Sequence, residues 1–283
     1  MIKSKKLLIV CLSVGLSGIV AFYLIPFVAG IVGAFSVLAD GGEKTFGIDN
    51  FARLFKNSVF QVALKNTFVF TLVTVVLANV LSFALASMIK NLVKNSLVLS
   101  AIILPMAVPT IVIAAVFGDT VAANLEKAIN MFSAAPVDLV RGEYAFLLIV
   151  VIFLWKYTGF HALIYMTALS AVPFEQYEAA SIDGAGAMTK MLHITLPCIL
   201  PFICFNMLLS IMNSFRIFRD IYVLFGDYPP PNVYLVQHFI QNNFIKLNLD
   251  YVFCAAYIFF GILTVIFAPL IINGNITENY YDE

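Results

Sequence analysis

The sequence predicts an all-α polytopic membrane protein with six transmembrane helices. Hydrophobic residue types make up 62% of its 283 residues and charged types 11%, where soluble domains average about 25% charged. The apolar residues gather into six stretches, each reaching the roughly 20 residues a helix needs to cross the hydrocarbon core. These stretches are continuously apolar and do not alternate with period two, which favours helices over a barrel.

The first span covers about Leu7–Val37 and follows Lys3-Ser-Lys5-Lys6. Its apolar region is too long for a secretory signal, and no small-x-small cleavage site follows, so an uncleaved first helix is expected. The others cover about Phe60–Ile89, Leu97–Phe117, Tyr144–Ala171, Pro197–Phe225 and Tyr251–Ile272. Pro26, Pro105 and Pro109 fall inside spans, where neighbouring helices or water can satisfy the freed carbonyls. The connections are about Leu38–Val59, Gly118–Glu143, Val172–Leu196 and Gly226–Asp250. None is large enough for a soluble domain, so residues 1–283 are expected to form one transmembrane domain.

Orientation follows from the basic residues. An inside N-terminus places Lys3, Lys5, Lys6, Lys90, Lys94 and Lys190 inside, and Lys44, Arg53, Lys56, Lys65, Lys127, Arg141 and Lys246 outside. The totals nearly balance. Short loops and the first helix weigh most, and they favour both termini and the Val172–Leu196 loop in the cytoplasm.

Several chemistries are missing. Sixteen basic and sixteen acidic residues cancel, so no positive excess exists to displace counterions from a nucleic acid. No GxxxxGK[ST] phosphate loop and no GxSxG elbow occur. His161, His193 and His238 form no His-x-x-x-His pair. Cys11, Cys198, Cys204 and Cys254 have no metal-ligand spacing and read as small buried hydrophobes. Neither catalysis nor a metal site is expected.

The segment Val172–Pro197 reads VPFEQYEAASIDGAGAMTKMLHITLP. Glu178, Ala179 and Ala180 are good helix formers. Ser181-Ile-Asp183-Gly184 can end that helix, with glycine free to take positive φ. Small residues at Ala179, Ala180, Ala185, Gly186 and Ala187 leave a smooth surface on which another protein can seat closely. A solvated loop with alanines for propensity would share this composition, but not the spacing. Glu178-Ala-Ala, Gly184, then nine residues and Ile194-x-Leu-Pro197 resembles the EAA loop of binding-protein-dependent ABC importer permeases. Phe46-Gly-Ile-Asp-Asn50-Phe, Val62-Ala-Leu-Lys-Asn66-Thr67-Phe, Leu104-Pro105 with Pro109, Trp155-Lys156-x-x-Gly159-Phe160 and Ser214-Phe-x-x-Phe218 with Ile221-Tyr222-Val-Leu resemble the maltose-type carbohydrate branch. Gly226-Asp-Tyr-Pro229-Pro-Pro231 stands where that branch usually has a Gly-Gly-Gly-Pro-like run.

The resemblance implies a type I ABC importer permease fold in a bacterial cytoplasmic membrane. It also implies a homologous second permease, two cytoplasmic ATPase subunits and an extracytoplasmic sugar-binding protein. ATP and Mg would bind the ATPases, with no cofactor on this chain. Glu178, Ala179, Ala180, Asp183, Gly184 and Gly186 would couple to the ATPase. Another solute, such as a phosphorylated or uronic-acid compound, is the alternative cargo. A secondary transporter would carry inverted repeats and mid-depth carboxylates, and a single intramembrane acid with no visible repeat argues against it.

Ionisable groups inside spans are functional candidates. Here they are Lys156 in the fourth span and Arg216, Arg219 and Asp220 in the fifth. Arg216 and Asp220 are four apart and are expected to pair, leaving Lys156 and Arg219 in excess. Asn206, Ser210, Asn213 and Asp220 fall near one stripe, with Ile217 between, and should face the bundle or a pathway. In similar permeases this part of the fifth helix contacts sugar, and Ser210, Ser214 and Ile217 match those positions. With Tyr157 as a stacking surface, the expected pathway set is Lys156, Tyr157, Ser210, Asn213, Ser214, Arg216, Ile217, Arg219 and Asp220.

Overall fold

A computed structural model describes residues 12–38, 44–89, 96–131, 138 and 142–279. Cys11, the N-terminal lysines, Lys90, Lys94 and Arg141 lie outside the described residues. The helices are α1 (Leu12–Phe35), α2 (Asp49–Lys56), α3 (Ser58–Ile89), α4 (Ser96–Ala107), α5 (Thr110–Asn130), α6 (Ala145–Ala171), α7 (Phe174–Ile182), α8 (Leu200–Phe225), α9 (Val236–Ile245) and α10 (Leu249–Asn279). Strands β1 (Ser36–Leu38) and β2 (Lys44–Phe46) form an antiparallel hairpin after α1. Among the described residues, five helices are long and apolar enough to cross a membrane, and α4 with α5 makes a sixth if the pair counts as one span.

The chain divides into two compact units. The smaller holds the described residues up to Gln61 together with Phe239–Ile262. In it, α10 lies against α1 where Gly30, Gly33 and Ala34 remove bulk. A Cβ on Gly33 would sit 2.5 Å from the Phe253 ring, and one on Gly30 2.7 Å from the Tyr257 hydroxyl. Phe27 packs edge-on against Tyr257 and Phe260 at 5.3 and 5.4 Å. Asn50 closes the hairpin base, donating to the carbonyls of Ala34 (3.2 Å) and Ser36 (2.8 Å).

The larger unit holds Val62–His238 and the described residues from Leu263. Its central helix is α6, where Leu148, Ile149, Ile152, Phe153 and Tyr157 are buried against Phe70, Ile113, Ile217 and Ile221. Gly159 permits the approach of α4: a Cβ there would lie 2.0 Å from the Ile102 carbonyl oxygen. Asn66, near the start of α3, donates to the carbonyls of Pro231 and Tyr234, and Asn232 donates to that of Glu143. These bonds place the start of α6 and the Phe225 end of α8 together, with α7 at the opposite end of α6.

The prolines move two boundaries. The expected third span, Leu97–Phe117, is broken: α4 and α5 meet at 87°. Pro109 has no N–H, holds Val108 out of helical geometry and starts a new helix as its N-cap. The twelve residues of α4 span only about 18 Å. The fifth span starts at Leu200 rather than Pro197, because the chain turns at Ile199 and Pro201 occupies the first turn of the new helix. Elsewhere a widened turn accommodates proline. The Ile25 N–H reaches the Val20 carbonyl before Pro26, and the Leu196 N–H reaches the Met191 carbonyl before Pro197. A five-residue step lets the helix pass a proline without the usual i−4 bond.

Candidate functional site

The segment after α6 builds a projecting helix. Pro173 caps the start of α7, and Glu175 sits in its first turn, where an acid favours the helix dipole. The helix stops as its residues dictate. Gly184 has φ +76°, Ala185 N–H bonds to the Ala180 carbonyl at 2.8 Å, and Gly184 N–H bonds to the Ser181 carbonyl at 3.1 Å. This pair of bonds is the Schellman stop, which requires a left-handed residue that glycine supplies at no steric cost. Asp183 is the C-cap, and Gly186, in extended conformation, caps the next short turn, Ala187–Lys190.

Glu178, Ala179, Asp183, Gly184 and Gly186 are exposed and Ala180 is half-buried. Around them stand side chains that the sequence reading passed over. Phe174 is 69% exposed, Ile182 87% and Met188 64%. The patch thus sets the acids Glu175, Glu178 and Asp183 among small residues, beside large exposed apolar groups in search of a partner. It is tied back to the segment that leads into α8. The Tyr177 hydroxyl and Thr195 Oγ1 share a 2.8 Å hydrogen bond, Lys190 Nζ donates to Ser181 Oγ at 2.6 Å, and Cys198 Sγ donates to Gln176 Oε1 at 3.5 Å.

The polar stripe of α8 faces inward. His161 Nδ1 lies 2.6 Å from Asn206 Oδ1 and its Nε2 lies 3.5 Å from Asn213 Nδ2. A ring that donates from Nδ1 and accepts at Nε2 satisfies both contacts. Ser210 Oγ accepts from Asn79 Nδ2 at 2.8 Å, and Tyr165 donates to Asn79 Oδ1 at 2.8 Å. Ser214 Oγ lies 3.0 Å from Thr71 Oγ1. Asn206, Ser210, Asn213, Ser214 and Ile217 are all buried, as is Tyr157. Asn79 on α3 and His161 and Tyr165 on α6 complete this network and were missed from sequence; the four-residue spacing of His161 and Tyr165 on one helix was the signal that could have found them.

The expected Arg216–Asp220 pair does not form. Both Asp220 carboxylate oxygens accept from Lys156 Nζ, at 2.9 and 3.0 Å, and the two side chains are 1% and 10% exposed. The cause is geometric. Lys156 reaches Asp220 across the α6–α8 contact, while Arg216 turns to the exposed side of α8. Side chains lean toward the N-terminus of their helix. Lys156 on α6 and Asp220 on the antiparallel α8 therefore lean toward each other. Arg216 and Arg219 are exposed and hold no ion pair among the described residues. Of the nine expected pathway residues, seven are inside this unit and only the two arginines face out.

The profile of binding-protein-dependent transport system inner membrane components matches residues 78–274. The chain is 29% identical over 235 residues to the arabinooligosaccharides transport system permease protein AraP of Bacillus subtilis, covering 78% of this chain and 75% of AraP. It is 30% identical over 238 residues to AraP of Halalkalibacterium halodurans, covering 80% and 74%. Its fold is similar to that of a chain in a bacterial ABC transporter importing the acidic polysaccharide alginate, with TM-score 0.75 and 21% identity over 98% of this chain and 97% of that one.

Proposed function

Because the chain belongs to the family of binding-protein-dependent transport system inner membrane components, we propose that it forms half of the pathway of an ATP-driven carbohydrate importer. The AraP relatives support oligosaccharide as the cargo. The observation that carries coupling is α7. It is an exposed helix with a defined stop, an exposed acid at Glu178 and an apolar rim, tied back to the segment that leads into α8. In this reading residues 1–283 act as one permease domain. A homologous permease supplies the other half, and an extracytoplasmic binding protein delivers the sugar. Two ATPase subunits bind ATP and Mg, hydrolyse the nucleotide and grip α7. This chain holds no nucleotide.

The geometry suggests how force travels. When the ATPases close, α7 moves. Its links at Tyr177–Thr195 and Gln176–Cys198 carry the motion to the start of α8. Helix α8 is locked to α6 by the Asn206–His161 contact and the Lys156–Asp220 pair. The α6–α8 block would therefore swing as one body, as alternating access requires.

In this reading both termini and α7 lie in the cytoplasm. The test is side-specific labelling of single cysteines at Ser181 and Ile245 in a cysteine-free chain. Ile245 is 57% exposed. The two should label from opposite faces of the membrane. Labelling of both from outside intact cells would refute the placement. Recovery of an ATPase with the wild-type chain but not with Glu178→Lys supports the coupling assignment.

A further inference from the structure

We infer that the transported oligosaccharide is anionic and that Arg216 and Arg219 contact its negative groups; this rests on the carbohydrate-importer reading above.

The exposed residues of α8 beyond its first turn are Phe205, Met212, Arg216, Arg219 and Val223. Their spacings of seven, four, three and four trace one helical face. That face is the reverse of the buried stripe, so it looks out of this chain's own bundle. Counting back from Phe225 at about 1.5 Å per residue, Arg219 lies roughly 9 Å and Arg216 roughly 14 Å along the span. A cation facing hydrocarbon at such positions is costly, by about 2.5–3.5 kcal/mol on insertion scales at mid-depth. With Asp220 neutralised by Lys156, the chain offers the two arginines no acid of its own among the described residues.

A second observation says what this face opens onto. Val223, one turn beyond Arg219, lines an open cavity of about 770 Å³ with Phe225, Tyr228 and Pro229-Pro230-Pro231 from the end of α8, and with Ile111 and Ala115 from α5. The last turn of α8, beyond Arg219, thus borders a space of oligosaccharide size, walled by an aromatic ring and rigid prolines. Guanidinium groups bind carboxylates and phosphates through two parallel N–H bonds. A neutral sugar would leave two such charges unmatched. A carboxylate- or phosphate-bearing sugar would match them.

The test uses the complete complex, with both permeases, the ATPases and the binding protein, in proteoliposomes. The probes are trigalacturonate, a phosphorylated disaccharide and neutral arabinotriose. Uptake of one of the two charged probes should fall at least tenfold in Arg216→Gln/Arg219→Gln and be largely restored in Arg216→Lys/Arg219→Lys. Which charged probe is used separates carboxylate from phosphate. Uptake of arabinotriose alone would overturn the inference while leaving the importer reading intact. So would undiminished charged uptake in the glutamine variant, or loss of the second permease from that variant on purification, which would assign the arginines to a subunit contact. If an assembled, ATP-hydrolysing complex moves none of the three, the carbohydrate reading fails and the inference with it.

Discussion

Removing either member of the Lys156–Asp220 pair should damage the subunit, and removing both should repair most of the damage. The Lys156 ammonium has both Asp220 oxygens within 3.0 Å, and both side chains are almost wholly out of contact with solvent. Stranding one charge of a buried pair costs about 3–5 kcal/mol, whereas replacing the pair by apolar groups of similar volume is often neutral. Asp220→Leu and Lys156→Met should each fall in that range. Asp220→Asn should cost somewhat less, since the amide oxygen still accepts one hydrogen bond. Lys156→Met/Asp220→Leu should return to within about 1 kcal/mol of wild type, a coupling of several kcal/mol between the sites. Arg216→Met, at an exposed position, should change stability by less than about 0.5 kcal/mol. The assay is unfolding by SDS titration in mixed micelles, with membrane level scored in parallel. Additive single effects in the double variant, or destabilisation by Arg216→Met comparable to that of Asp220→Asn, would refute the pairing.

Three further outcomes follow from the same geometry. At the loop, Glu178→Lys and Gly184→Val should leave the chain inserted but abolish substrate-stimulated ATPase activity of the complex. A Cβ at Gly184 meets nothing within 4 Å, so the local cost is only the strain of φ +76°, about 1–2 kcal/mol; normal stimulation in both variants would sink the coupling role. In the bundle, Gly159→Ala should cost at the upper end of roughly 1–3 kcal/mol, because its Cβ would press on the backbone of α4, read as a drop in folded protein recovered. In the first turn of α9, burial pushes His238 down from 6.5 to about 4, partly opposed by Asp227, and its Nδ1 accepts the Leu235 N–H. The unfolded chain then takes up the proton first. Stability should be full above about pH 6.5 and decline as pH falls toward 4, by up to about 3 kcal/mol; His238→Phe should flatten that part of the pH–stability profile.

The elements that could be read from sequence are those fixed by a local rule. Span length and continuity identify five of the six crossings because the bilayer sets the length and the chain supplies it. The loop could be read in the same way. A glycine placed two residues after the last helical residue makes its stop from backbone geometry alone, so Gly184 was legible without any partner. The third crossing was not legible. Pro105 lies within α4, while Pro109 ends it, and nothing local separates a proline that a helix tolerates from one that breaks it. The difference lies in what each freed carbonyl meets, which is a tertiary fact.

The partners of the polar stripe and of Asp220 were not legible either, and the reason is informative. A polar stripe in one helix states that the face must be satisfied, not by whom. Asn206, Ser210, Asn213 and Ser214 could have met water or neighbouring helices. The choice depends on Asn79 and Thr71 of α3 and His161 of α6, and which stripe meets which is decided only when the helices pack. Asp220 had two cations within reach in principle. The i,i+4 rule selected Arg216, but that rule sees one helix only, and Lys156 reaches the acid from α6. With Lys156 on the acid, the charge excess moves from Lys156 and Arg219 to Arg216 and Arg219. That shift turns an internal charge balance into an outward-facing positive surface, and the residue that decides it, Lys156, lies on a different helix from the charges it leaves unmatched.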